Sequence, residues 1–181
     1  GKQNLHLLKI SLIGLYSYKK DAFFLFEEKE LSQFEKFLKE TGILIGFALH
    51  RFDLPLLKFH FPQFDFNNIK TLDLLEEIEK ICGHKVRLDE IAKATLGKGK
   101  TGNGLEAIRL YKEGRIEELK DYCFNDVLLT KELYEFAKEK NYLFLPSFNG
   151  PVKIPLQLKD LDKEIDQLME QKESQQTSLF S

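Results

Sequence analysis

The stretch DYCFNDVLLTKEL, residues 121–133, has the spacing of an amphipathic helix that also carries polar groups. Residues four apart lie on the same face of a helix, so Tyr122 and Asp126 project together, while Leu129 and Leu133 are available to a core. In one interpretation the tyrosine packs at the helix edge and the aspartate faces solvent. In the other interpretation the two side chains form a polar pair that serves a site.

A second stretch, ILIGFALHRFDLPLL at residues 43–57, predicts a buried strand followed by a helix. Asp53 follows closely on that strand, where α/β proteins commonly place functional groups. Aspartate is also favoured at a helix N-terminus and Pro55 suits the first turn, so a purely structural role explains Asp53 equally well. Further along, Asp73 is predicted to cap a helix, with Glu76 three residues later.

The composition describes a globular chain. Of its 181 residues, 43% are hydrophobic and 31% charged, which allows one ordinary core and an appendage. No apolar run approaches the roughly 20 residues that span a bilayer. The N-terminal stretch also lacks the order of a secretory signal, so we expect a cytoplasmic protein without a membrane segment. A net charge of −2 argues against a generally basic nucleic-acid-binding surface, but it permits a local basic rim or a metal-dependent site.

The cysteines and histidines form no recognisable disulfide or zinc pattern. Cys82 and Cys123 lie far apart in separate helical segments, which supports neither a disulfide framework nor a CxxC metal site. The four histidines show no ligand spacing. We therefore expect reduced thiols and no zinc site.

The predicted elements run from strands to helices along the chain. LLKISLIGLYSY and AFFLFEE predict two antiparallel strands joined by the short turn KKD, followed by a helix and the short strand ILIGF. Five further helices are predicted at residues 50–61, 71–83, 87–97, 105–114 and 115–141. A loop-like, proline-containing stretch, a charged helical segment and a polar end complete the sequence. We therefore expect one domain over residues 1–150, and a linker, charged helix and tail over residues 151–181.

The order of these segments is more specific than any one of them. A strand hairpin, a helix, IGF with FDLPLL, the helical region TLDLLEEIEKICGHKVRLDEIAKATLG and finally YCFNDVLLT resembles the DEDD-type 3′-5′ exonucleases of the RNase H-like superfamily. The branch that it resembles ends in a Tyr-x-x-x-Asp motif, and the resemblance covers about residues 5–145. It implies an α/β fold, an RNase H-like mixed β-sheet flanked by helices. It also implies that Asp53 matches the aspartate of the second exonuclease motif, and that Tyr122 and Asp126 match the third.

The chemistry of such an enzyme accounts for these residue types. Phosphodiester hydrolysis needs charge neutralised on the attacking and leaving oxygens, and two Mg²⁺ or Mn²⁺ ions about 4 Å apart supply this. Hard cations prefer oxygen ligands, so Asp53 and Asp126 are the expected metal ligands. The Tyr122 hydroxyl, one helical turn from Asp126, is expected to orient or deprotonate the attacking water. The resemblance thus implies a metal-dependent 3′-5′ exonuclease that acts on single-stranded nucleic acid or a 3′ end.

The sequence departs from the family at the first motif, Asp-x-Glu on the first strand. The only Asp-x-Glu in the chain, residues 162–164, lies in the charged tail and in helical context. We expect that the sequence begins just downstream of the missing strand. The alternative is a non-catalytic nucleic-acid- or clamp-binding module that keeps the fold.

A smaller departure lies in GFALHRFD, where the family usually has Asn at the position of Ala48. His50 and Arg51 beside it are candidate contacts to phosphates or bases, although surface residues beside a helix start are also simply solvated.

ATLGKGKT, residues 94–101, fits a relaxed phosphate-loop pattern, but it follows a predicted helix where a phosphate loop must follow a strand. Lys98 and Lys100 in this glycine-rich turn are instead candidate contacts to the phosphates of a single strand; solvated loop lysines are the simpler interpretation.

The terminal QTSLF resembles the short peptide with which bacterial polymerases and repair proteins bind the sliding clamp. Gln176 would fix the register, and Leu179 and Phe180 would enter an apolar pocket. A frayed tail explains the same residues without a partner.

Overall fold

The antiparallel hairpin predicted at the start of the chain forms, and helices and short strands follow it. The computed structural model describes residues 10–99 and 104–158, together with residues 163, 167 and 170. Its strands are β1 (Leu12–Ser17), β2 (Ala22–Glu27), β3 (Ile43–Gly46), β4 (Lys70–Asp73), β5 (Tyr142–Leu145) and β6 (Val152–Pro155). Its α-helices are α1 (Leu31–Glu40), α2 (Asp53–His60), α3 (Leu74–Cys82), α4 (Leu88–Leu96), α5 (Gly104–Lys112) and α6 (Ile116–Lys140).

The six strands of the described ranges pair in three two-stranded sheets, of which two are antiparallel and one is parallel. β1 and β2 are antiparallel, with Leu12 opposite Glu27. β3 and β4 are parallel, so Gly46 and Asp73 end the two strands at the same edge. β5 and β6 form a second antiparallel pair. Three small sheets flanked by helices result among the described residues, which confirms the predicted α/β class.

Two elements differ from the sequence-based prediction. β4 occupies the start of the segment predicted to be helical from Thr71, and the β5–β6 hairpin occupies a stretch predicted to be loop-like. Both depend on partners elsewhere in the chain: β4 is four residues long and forms by pairing with β3. Strands this short have too few residues to show a periodicity of their own.

The buried side chains form two hydrophobic clusters. One lies around α3, α4, α6 and the β5–β6 hairpin, and Leu74, Ile78 and Leu133 are fully buried in it. The other joins β1 and β2 to α1 and α2, and it is rich in phenylalanine. The domain boundary near residue 150 stays a prediction; Leu156 and Leu158 continue the packing of the first cluster past that point.

Helix α6 lies close against β1 because β1 carries a glycine at the contact. A Cβ atom on Gly14 would lie 2.7 Å from the Cys123 Sγ atom and 2.9 Å from the Val127 Cγ2 atom. At one end of this contact, Lys120 Nζ lies 2.9 Å from Glu27 Oε1 on β2. The face of α6 that holds Cys123 is therefore fixed against the hairpin.

Within the described ranges, no helix combines the length and the apolar character that crossing a bilayer requires. Cys82 and Cys123 are both free thiols.

Candidate active site

Helix α6 presents Tyr122 and Asp126 one turn apart, as the spacing predicts. The helix is continuous over 25 residues, and both side chains are half-buried. The Oδ1 atom of Asp126 is buried, and the backbone carbonyl of the same residue accepts a hydrogen bond from Thr130 Oγ1 at 2.8 Å. Asp126 is therefore not the freely solvated residue of the simpler interpretation.

Asp53 is the first residue of α2, and its side chain is exposed. Asp53 and Asp126 both lie close enough to the Cys123 thiol to influence its pKa. Burial, followed by the negative charges of Asp126 and Asp53, raises the pKa of Cys123 to about 12, while a hydrogen bond with the Gly14 backbone opposes this rise. The charges of two residues far apart in sequence thus both influence the thiol of Cys123 on α6.

These groups offer oxygen ligands to a hard cation. Asp53 supplies an exposed carboxylate and Asp126 a half-buried one, with the Tyr122 phenol one turn away. Carboxylate oxygens suit Mg²⁺ and Mn²⁺, which fits the predicted ligand set. Two ions together need more oxygen ligands than two aspartates supply, so water, substrate phosphate or further carboxylates must complete their coordination.

The turn of residues 48–52, which joins β3 to α2 and leads into Asp53, is held by a buried aspartate. Asp73 is only 2% exposed. Its Oδ1 atom accepts from the N–H of Ala48 at 2.8 Å and its Oδ2 atom accepts from the N–H of His50 at 3.0 Å. Oδ1 also accepts from the N–H of Leu75 at 3.0 Å, which confirms the predicted N-cap of α3.

Two side chains of the same turn are tied to α3 and β4. The His50 Nδ1 atom lies 2.8 Å from Glu76 Oε2, and its Nε2 atom lies 2.7 Å from Thr71 Oγ1. Arg51 forms a two-pronged ion pair with Glu79, with Nη1 at 2.8 Å from Oε1. This hydrogen-bonded pair raises the pKa of Arg51 and lowers the pKa of Glu79. Contact of His50 and Arg51 with substrate stays a prediction, and it would have to compete with these partners.

Sequence reasoning missed the grouping of His50, Asp73 and Glu76, whose ligand atoms lie within 4.8 Å of one another. The group resembles a metal site in composition. However, the oxygens of Asp73 already accept three backbone N–H groups, and both ring nitrogens of His50 have hydrogen-bond partners. It is therefore best described as a network that fixes the turn. The signal that could have revealed it is an aspartate at a strand end, beside the end of a parallel neighbour.

Of the remaining predicted contacts, only Lys98 belongs to the residues that the structure describes. Lys98 follows α4 and forms an ion pair with Glu132 on α6 at 2.6 Å. The loop that contains it follows a helix ending at Leu96, which is the wrong context for a phosphate loop. Lys100 lies outside the described residues, as do the clamp-peptide residues Gln176, Leu179 and Phe180.

Comparison with known proteins gives one match. A family model described as RNase_H superfamily matches residues 5–138, a range that includes Asp53, Tyr122 and Asp126. Neither the comparison with curated proteins nor the comparison with solved structures gave a match. The matched range covers most of the chain and includes the β1–β2 hairpin, the parallel strand pair and all but the last two residues of α6. The chain therefore belongs to the RNase_H superfamily.

Proposed function

We propose that this protein is a metal-dependent 3′-5′ exonuclease that hydrolyses phosphodiester bonds in single-stranded nucleic acid or at a 3′ end. Membership of the RNase_H superfamily supports a nuclease. The observation that carries the proposal is that the matched range, residues 5–138, contains Asp53, Tyr122 and Asp126, and that the last two lie one turn apart on α6. We further propose a cytoplasmic protein with a role in DNA repair.

Each residue has a distinct role in this proposal. Asp53 and Asp126 would hold Mg²⁺ or Mn²⁺, which when bound neutralises charge on the attacking and leaving oxygens. Tyr122 lies one turn from Asp126, and its hydroxyl would orient the attacking water or accept its proton. The exposure of Asp53 leaves its carboxylate accessible to a nucleic-acid strand.

Digestion of end-labelled strands tests the proposal directly. Single-stranded DNA and RNA, labelled at the 3′ or the 5′ end, are incubated with the protein and Mg²⁺ or Mn²⁺. We expect metal-dependent shortening from the 3′ end by a protein that also carries the first motif, and a loss of more than about 100-fold in its Asp126→Asn variant because a metal ligand is removed. Asp121→Asn is the matched control: it makes the same change on an exposed position of the same helix, and it should keep full activity.

The first exonuclease motif needs a separate arm of this experiment. The chain holds an Asp-x-Glu only at residues 162–164, so this arm adds to the protein whatever coding sequence is found upstream of Gly1 in the gene. Nuclease activity that appears in the extended protein and depends on a newly included Asp-x-Glu supports the proposal of an exonuclease. If a folded extended protein degrades no strand but binds one, the domain is a non-catalytic nucleic-acid-binding module instead.

We also propose that the terminal QTSLF binds a sliding clamp. The support is the sequence alone: after a charged segment, a glutamine is followed three and four residues later by two apolar residues, Leu179 and Phe180. Binding of the full chain to a bacterial clamp should fall at least about tenfold in Phe180→Ala, because an apolar anchor is lost. Equal binding by the parent and Phe180→Ala would remove this partner from the proposal.

A further inference from the structure

The turn of residues 48–52 has a backbone shape that its own sequence does not favour. Ala48 has φ of 63°, in the left-handed region that residues with a Cβ atom rarely adopt. The N–H groups of Arg51 and Phe52 both donate to the Ala48 carbonyl, at 3.1 Å, so this residue sets the path of the turn. Something outside the turn must therefore hold it in shape.

Asp73 is the group that does so. It lies at the end of β4, beside the end of β3, and both of its oxygens receive backbone N–H groups from the turn. Hydrogen bonds to an ionised carboxylate are stronger than those between neutral groups. Only the third bond, from Leu75, belongs to the cap of α3. A helix cap needs only one carboxylate oxygen. The second oxygen of Asp73 accepts from the N–H of His50, so it serves the turn and not the helix cap.

The turn leads directly into the proposed metal ligand. Asp53 begins α2 immediately after residue 52, and the Leu54 N–H donates to the Leu49 carbonyl at 2.8 Å, so turn and helix form one hydrogen-bonded unit. The ties of His50 to Thr71 and Glu76 hold the same unit against β4 and α3. A shift of the turn would therefore move the Asp53 carboxylate.

We propose that Asp73 is a positioning residue that holds Asp53 in the geometry that metal binding requires. The inference rests on the proposed function, because it takes Asp53 as a metal ligand. Groups that orient metal ligands typically change metal affinity by about 10- to 100-fold when they are removed.

Two variants separate this role from helix capping. Asp73→Asn keeps an oxygen for the cap but turns an amide donor toward an N–H group of the turn. Asp73→Ser keeps a capping hydroxyl that is too short to reach the turn, and it serves if the asparagine variant does not fold. Asp65→Asn is the matched control, because Asp65 caps the short helical turn at Phe66–Asn68 and is exposed.

Three measurements are made on the full chain: hydrogen exchange of the amides of residues 48–53, binding of Mn²⁺ followed by electron paramagnetic resonance, and the Mn²⁺ concentration for half-maximal nuclease activity. We expect faster exchange in the turn of both Asp73 variants. We also expect Mn²⁺ binding weakened by about 10- to 100-fold, with the half-maximal concentration raised to match. Excess Mn²⁺ should then restore much of the activity, which it would not do for a variant that is merely less folded.

The outcomes distinguish this inference from the proposed function. Unchanged Mn²⁺ binding in a folded Asp73 variant overturns the positioning role, even if the turn exchanges faster. An equal effect of Asp65→Asn would also overturn it, because capping alone would explain the result. A parent protein that binds Mn²⁺ but cuts no strand contradicts the exonuclease, while exchange and Mn²⁺ binding still decide the role of Asp73.

Discussion

At the residue scale, single atoms decide how the site is assembled. Gly14 has no Cβ atom, and this absence lets the Cys123 face of α6 lie against β1. Asp73 has two carboxylate oxygens, and together they join the 48–52 turn to α3. Neither residue was a candidate for function in the sequence. Each acts by setting where another side chain lies.

The contact at Gly14 leads to a stability prediction. Gly14→Ala should lower the free energy of unfolding by about 1–3 kcal/mol, because the new methyl group would overlap the side chains of Cys123 and Val127. Urea denaturation measures the change. The double variant Gly14→Ala with Cys123→Ala should lose less than the sum of the two single variants, since the nearest clashing atom is gone. Strict additivity would show that β1 and α6 are not in this contact.

At the element scale, the short strands depend on what they pair with. β4 forms beside β3 and brings Asp73 to the edge where the 48–52 turn begins. The β5–β6 hairpin closes the larger hydrophobic cluster, with Leu143 and Ile154 buried against α3, α4 and α6. Helices were easier to predict, because amphipathic spacing is visible within one segment.

The packing of the β5–β6 hairpin predicts how far the C-terminal end of the chain can be shortened before the fold loses stability. A chain ending at residue 150 should be less stable than one ending at residue 158, because it lacks the buried side chains of Ile154, Leu156 and Leu158. Burial of each such side chain is worth about 1.5–3 kcal/mol, so the shorter chain should lose several kcal/mol or fail to fold. Thermal and urea unfolding of the two truncated chains compare them directly. Equal stability would place the boundary near residue 150 after all.

At the scale of the whole molecule, ion pairs link distant elements and make stability depend on pH. Glu27 on β2 pairs with Lys120 on α6, and Glu79 on α3 pairs with Arg51 before α2. In both cases the hydrogen-bonded cation lowers the pKa of the glutamate below its ordinary value of 4.5. A carboxylate with a lowered pKa contributes stability above its ordinary pKa, and this contribution is lost as pH falls through the folded-state pKa.

We therefore expect the urea midpoint to decrease below about pH 4.5 as these glutamates become protonated. Glu79→Gln should flatten this decrease, because the variant has no proton to gain at that position. Added salt should weaken the effect, since the pairs are partly exposed and screened. The same acid dependence in Glu79→Gln and in the parent would show that the Arg51 pair does not contribute.

The sequence by itself determined the α/β class, the opening hairpin, the long helix α6 and the pairing of Tyr122 with Asp126 on one face. The hairpin strands, the helix and the pair follow from spacing within one segment, whereas the α/β class follows from the order of the segments and the resemblance that this order carries. Only the tertiary structure showed that Asp73 reaches back to the 48–52 turn, and that His50 and Arg51 are bound to acidic side chains of α3. These contacts join residues that are far apart along the chain, and they form when strand pairing and core packing bring their elements together.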